Sequence, residues 1–127
     1  MKTLADWATG FGLPSETCGR VERCLAAVDP ELAAFCLQQA VEKFLKALLV
    51  SKGWELRRIH DLEALLDDAT QYDPVLQEFR HACRRITAFY TVERYPLPVR
   101  AGIADGEVRE SLGAVLPLVE RIRGALR

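Results

Sequence analysis

The chain has 127 residues; half of them are hydrophobic, 8% are aromatic, and 17 basic against 18 acidic residues leave a formal net charge of −1. This length suits one domain with a core of its own, so we predict a single helical domain over residues 1–127. The near-neutral balance disfavours a strong nucleic-acid binder, which usually carries a clear basic excess.

Targeting and metal-binding patterns are missing from the sequence. The opening residues MKTLADWATGFGLP contain no apolar signal-peptide core, and polar residues interrupt the most apolar run, residues 35–50. No C-x-x-C pair occurs among the four cysteines at positions 18, 24, 36 and 83, and the two histidines lie far apart. We therefore expect a cytoplasmic protein with reduced cysteines, no metal or cofactor, and no membrane segment.

The first half of the chain predicts three helices. A short one spans 2–9, and a second runs from Ser15 to about Val28 after the breakers Gly10, Gly12 and Pro14. Asp29-Pro30-Glu31 then provides a cap, a proline at the first helical position and an acid at the positive end. This central helix should run to about Ser51, stop near Gly53, and be buried on more than one side, Phe44 deeply.

The second half predicts three more helical segments. Residues 60–69 form a short amphipathic helix, and Asp73-Pro74 begins a long one that runs to about Thr91. The inner stripe of that long helix should be Leu76, Phe79, Cys83, Ile86 and Tyr90. After a proline-containing loop at 94–104, Asp105 is a plausible cap for the last helix. Pro117 lies inside that helix and predicts a mild kink. Four of the predicted segments are long or medium helices joined by short loops, so the sequence predicts an all-α fold, an antiparallel up-and-down bundle of four to five helices.

Charge is distributed unevenly along this second half. Residues 61–73 contain five acids and no base, whereas residues 77–100 contain five arginines, two glutamates and His81. The arginine-rich segment is either a local basic face or an ordinary solvated helix surface. His81, beside Arg80, Arg84 and Arg85, could in the first case contribute to phosphate binding.

Polar side chains on the central helix form the other candidate cluster, and Glu42 and Lys46 have the favourable order for an ion pair. If this helix has no solvent-exposed face, some of these polar groups are buried and need hydrogen-bond partners. His60 precedes Asp61-Leu62 and lies at the predicted start of the short helix. Its imidazole either lies at a binding cleft or caps that helix.

Three ordered motifs resemble the HEPN family. They are QQAVEKFLKAL at 38–48, IHDL at 59–62 and the YxxxRYP-like segment at 90–96, and the similarity covers residues 35–96. The resemblance implies a helical bundle that forms a homodimer and pairs with a small nucleotidyltransferase, often as a toxin–antitoxin module, with a nucleotide as a candidate ligand. Binding residues on this basis are Lys43, Lys46, His60, Arg94 and Tyr95. The apolar positions on the last two helices agree with a dimer.

Many HEPN proteins are ribonucleases through an Arg-x(4–6)-His motif at the dimer cleft. This chain lacks that motif, because positions 53–55 before His60 and 74–76 before His81 hold no arginine. We therefore predict a non-catalytic, dimeric interaction module. The alternative is an unorthodox ribonuclease toxin in which His81 works with Arg80, Arg84 and Arg85.

Overall fold

The computed structural model describes residues 29–55, 61–90, 99 and 102–126. The two N-terminal helices predicted over 2–9 and 15–28 lie outside these residues, as does most of the predicted loop at 94–104. The described part is all-α and contains four α-helices: α1 (Pro30–Ser51), α2 (Leu62–Thr70), α3 (Arg80–Thr87) and α4 (Asp105–Leu126). A 3₁₀ helix, Pro74–Phe79, precedes α3 directly. None of these helices is both long and apolar enough to cross a bilayer.

Helix α1 forms as its local signals predict. The Asp29 carboxylate accepts a hydrogen bond from the Leu32 amide at 3.1 Å, Pro30 occupies the first helical position, and the helix ends two residues before Gly53. Gly53 has a φ of +91°, a left-handed conformation that favours glycine just after a helix. Twelve of the 22 residues of α1 are buried, and Phe44 is 5% exposed, so this helix is covered on several sides, as predicted.

Ion pairs show how the later helices run. Glu63 and Asp67 of α2 pair with Arg84 and Arg80 of α3 in reverse order, so these two helices are antiparallel. Arg85 of α3 pairs with Glu110 early in α4, while Asp73, before the 3₁₀ helix, pairs with Arg121 late in α4. The 3₁₀–α3 segment is therefore antiparallel to α4.

The prediction of one long helix from Pro74 to about Thr91 was wrong in two respects. Its first six residues are a 3₁₀ helix, and α3 ends at Thr87. Phe89 is buried at 3% exposure, whereas Tyr90, placed in the inner stripe by the sequence, is half-buried and forms an isolated β-bridge with Val99. The change follows from geometry, because once the helix ends at Thr87 the 3.6-residue period no longer determines which side chain faces the core.

One hydrophobic core joins the described helices. Helix α4 runs without interruption through Pro117 and buries Val108, Leu112, Val115, Val119 and Ile122 of the predicted stripe, while Leu126 is only half-buried. The expected cap, Asp105, is the first residue of α4, and Glu107 accepts a hydrogen bond from the Ala104 amide at 2.8 Å. The core therefore lies between α1 and α4, with α2, the 3₁₀ helix and α3 packed beside them.

Candidate functional site

A row of hydrogen-bonded polar side chains follows one side of α1. Gln39 Nε2 donates to Gln38 Oε1 at 2.9 Å, Gln38 Nε2 donates to Glu42 Oε1 at 3.0 Å, and Lys46 Nζ lies 3.3 Å from Glu42 Oε2. Gln38 is fully buried and Glu42 is 6% exposed. We call these four residues the polar row. The four-residue spacing of Gln38, Glu42 and Lys46 places these three side chains on one face of the helix, and the hydrogen bonds offset the cost of burying them.

The two lysines predicted as binding residues differ in their surroundings. The side chain of Lys46 is 11% exposed, and its ammonium group pairs with Glu42. Lys43 is half-buried beside Glu42 in the sequence. The Glu42–Lys46 ion pair expected from the sequence is thus present, and it lies within the protein rather than on an open surface.

The start of α2 is held by Asp61 and Thr87. The Asp61 carboxylate accepts hydrogen bonds from the amides of Glu63 at 2.9 Å and Ala64 at 3.5 Å. The Leu62 amide donates to Thr87 Oγ1 at 3.1 Å, which ties this helix start to the end of α3. The cap of α2 is therefore Asp61. His60, Arg94 and Tyr95, three of the predicted binding residues, lie outside the described residues.

The acidic and basic segments of the sequence meet along α2 and α3. Arg84 Nε donates to Glu63 Oε2 at 2.7 Å and Arg84 Nη2 donates to Glu63 Oε1 at 3.3 Å, a bidentate pair. Arg80 pairs with Asp67, and its other terminal nitrogen lies 3.9 Å from Glu63. We call Glu63, Asp67, Arg80 and Arg84 the acid–base seam. The hydrogen bond from Arg84 holds the pKa of Glu63 below its ordinary value.

Arg85 and His81 lie on the side of α3 that approaches α4. Arg85 Nη1 donates to Glu110 Oε1 at 3.0 Å, and this hydrogen bond lowers the pKa of Glu110, with a smaller contribution from His81. His81 itself is exposed. Each arginine that the ribonuclease hypothesis assigns to phosphate binding therefore already bonds a carboxylate from another helix. The three carboxylates would repel a phosphodiester brought to the same place.

Burial explains the state of one other reactive group, the thiol of Cys83. Cys83 is fully buried, and burial raises the pKa of its thiol to about 12, which makes the thiolate nucleophile unavailable at neutral pH. Within residues 29–55, 61–90, 99 and 102–126, no group of three or more histidine, cysteine, aspartate or glutamate side chains is arranged to hold a metal ion.

Sequence reasoning missed one polar pair. Arg121 donates to Asp73 through Nε at 2.5 Å and through Nη2 at 2.9 Å, across 48 positions of sequence. The pair borders a pocket of about 150 Å³ where α1 and α4 both end, and the pocket is lined by Leu48, Lys52, Tyr72, Asp73, Leu76, Arg121, Ile122 and Ala125. No local signal could have joined residues so far apart, because only the antiparallel packing brings them together.

Comparisons with known proteins agree on the fold. The family model described as the HEPN domain matches residues 15–125 of this chain. A crystal structure described as that of an archaeal HEPN homologue superposes with a TM-score of 0.73 at 23% sequence identity, and the match covers all of both chains. No curated protein matches the sequence significantly.

Proposed function

The chain belongs to the HEPN domain family, and on that premise we propose that it is a non-catalytic interaction module. In this proposal it forms a homodimer and binds a small nucleotidyltransferase in a toxin–antitoxin-like pair, with a nucleotide as a candidate small ligand. Contacts by Lys43, Lys46, His60, Arg94 and Tyr95 belong to the same proposal. The resemblance of the three sequence motifs supports it.

One observation carries the non-catalytic part of the proposal: the arginines around His81 are neutralised within the fold. Cleavage of a phosphodiester needs a positioned proton acceptor and a cation at the phosphate or the leaving oxygen. Arg84 forms a bidentate pair with Glu63, and Arg85 bonds Glu110. RNA would have to compete with these carboxylates for the arginines. The missing Arg-x(4–6)-His spacing removes the usual alternative source of that cation.

The ribonuclease alternative has a specific observation in its favour. His81 and Arg84 are three residues apart on α3 and both are exposed, with 64% of the Arg84 side chain open to solvent. Residues at this spacing share one face of a helix, so the two side chains could in principle approach one substrate. The alternative then requires Arg84 to leave Glu63.

An RNA-cleavage assay decides between the two hypotheses. Wild-type, His81→Ala and Glu63→Gln proteins, purified identically, are incubated with labelled RNA. We expect no cleavage by the wild type or by His81→Ala. Cleavage by the wild type that is lost in His81→Ala would establish the ribonuclease. Cleavage that appears only in Glu63→Gln would show that the acid–base seam suppresses a latent activity.

The partner part of the proposal needs a separate measurement. The full chain is mixed with a small nucleotidyltransferase encoded beside it, and light scattering measures the mass of the mixture. A stable complex supports the pairing. Two separate masses at micromolar concentrations of both proteins would refute it, whatever the RNA assay shows.

A further inference from the structure

The pocket at the end of the bundle where α1 and α4 both end has the dimensions of a small-molecule site. Its volume is about 150 Å³. Leu48, Leu76 and Ile122 contribute apolar surface to its lining, and none of these three side chains is more than 3% exposed. A cavity of this volume with apolar walls has room for a molecule about the size of benzene. A nucleotide is too large for it, because pockets for drug-sized ligands measure about 300–1,000 Å³.

The charged groups that line this pocket leave an excess of positive charge. Two cations, Lys52 and Arg121, stand against one acid, Asp73. Arg121 and Asp73 neutralise each other, since Nε and Nη2 of the arginine donate to the two carboxylate oxygens at 2.5 and 2.9 Å. Lys52 is exposed and pairs with no carboxylate in the part of the chain that the structure describes. Tyr72, which is 48% exposed, adds an aromatic ring and a hydroxyl group to the rim.

The end of α1 does not need the Lys52 side chain as a cap. A lysine near a helix C-terminus often bonds the last carbonyl groups of that helix. Here backbone amides bond them instead: the amide of Lys52 donates to the Leu49 carbonyl and the amide of Gly53 to the Val50 carbonyl, both at 3.0 Å. The ammonium group of Lys52 therefore remains available to an anion that enters the pocket.

We propose that this pocket binds a small organic anion, a carboxylate carried on a compact apolar body about the size of one six-membered ring. The apolar body packs against Leu48, Leu76 and Ile122 and leaves water, while the carboxylate stays at the rim with the Lys52 ammonium group. Lys43 and Lys46, to which the proposed function assigns contacts, do not line this pocket. The inference therefore goes beyond the proposed function and does not rest on it.

Ring compounds that differ only in charge at one substituent test the ligand class. Benzoate, benzyl alcohol and benzylamine are each titrated into the isotopically labelled full chain, and NMR chemical shifts report the affinity and the amides that respond. We expect benzoate to bind most tightly and benzyl alcohol about two- to fivefold more weakly, which is the contribution of one solvent-exposed ion pair. Benzylamine should bind most weakly, because Lys52 repels it. The responding amides should include those of Lys52, Tyr72 and Ile122.

Two variants and a matched control assign the contacts. Lys52→Gln keeps the apolar walls and removes the charge, so it should weaken benzoate binding about two- to fivefold and leave benzyl alcohol binding unchanged. Ala125 is an exposed residue of the lining, so Ala125→Leu fills the space and should abolish binding of both compounds. Arg109→Gln removes an exposed cation near the opposite end of α4 and should change neither affinity. Circular dichroism checks that each variant is folded.

Several results would overturn this assignment. The pocket is not the site if none of the ring compounds binds, if the responding amides lie elsewhere, or if a folded Ala125→Leu still binds them. The carboxylate is not the recognised group if all three compounds bind equally, or if Lys52→Gln and Arg109→Gln lower benzoate affinity to the same extent. The comparison of Lys52→Gln with Arg109→Gln does not depend on the folding of Ala125→Leu. None of these results bears on RNA cleavage or on binding of a nucleotidyltransferase, which are measured separately.

Discussion

The buried ion pair of the polar row allows a quantitative test. In Lys46→Met the ammonium group is removed from the Glu42 carboxylate, which lies 3.3 Å away and keeps its hydrogen bond from Gln38. The side chains of Lys46 and Glu42 are 11% and 8% exposed, so the carboxylate loses its counter-charge with little access to water. Breaking such a buried pair costs about 3–5 kcal/mol. We expect the lower end of that range, because the hydrogen bond to Glu42 remains.

An exposed ion pair of the same spacing provides the control. Arg109 Nε lies 2.6 Å from Asp105 on α4, also four residues apart, with side chains 56% and 44% exposed. Solvent-exposed pairs contribute about 0–1 kcal/mol, so Arg109→Met should cost less than about 1 kcal/mol. Replacing both buried charges, as in Glu42→Gln with Lys46→Met, should cost less than Lys46→Met alone, because no unpaired charge is left inside and the new amide oxygen can still accept the hydrogen bond from Gln38.

Urea unfolding followed by circular dichroism measures these free energies, provided that the slope against urea stays constant among the variants. For a chain of this size about 3 kcal/mol also lowers the midpoint of thermal unfolding by roughly 10 °C. Equal losses in Lys46→Met and Arg109→Met would refute the reasoning, since they would mean that water screens the Glu42–Lys46 pair as well as it screens a surface pair.

Three further predictions follow from individual residues. Phe44→Ala should lower the free energy of unfolding by about 3–5 kcal/mol in urea titrations, because it empties a core position, and Phe44→Leu should lower it less. Asp61→Ala removes the cap of α2 and should cost about 1 kcal/mol in the same assay, whereas Asp61→Asn, which still accepts the hydrogen bonds, should cost only part of that. Arg121 holds the pKa of Asp73 below its ordinary value of 3.8, so ionised Asp73 stabilises the fold above that pH, and this contribution is lost as the pH falls through the lower folded-state pKa. The free energy of unfolding is therefore measured between about pH 6 and about pH 2. It should fall less steeply with decreasing pH in Arg121→Ala than in the wild type. Identical profiles would contradict the role of the Arg121–Asp73 pair.

Local sequence determined the helices whose ends carry their own signals. Asp29 caps α1 through the Leu32 amide, Pro30 begins it, and the apolar residues at spacings of three and four form its buried faces, Phe44 among them. These effects act between residues within one or two helical turns, so the local sequence is enough to predict them without knowledge of any tertiary contact. The motif QQAVEKFLKAL in the same segment, together with the motifs at 59–62 and 90–96, indicated the HEPN family, which the family model bears out over residues 15–125.

Tertiary structure alone decided what the charged side chains of α2 and α3 do. In the sequence, the acids at 61–73 and the arginines after 77 are two separate patches, and the arginines could have formed an open phosphate site. Antiparallel packing of α2 on α3 instead places Glu63 against Arg84, and the approach of α4 places Glu110 against Arg85. Tertiary packing also places Phe89, and not Tyr90, in the core. Contacts across 20 residues or more depend on how helices are oriented relative to one another, and no periodicity within a single helix contains that information.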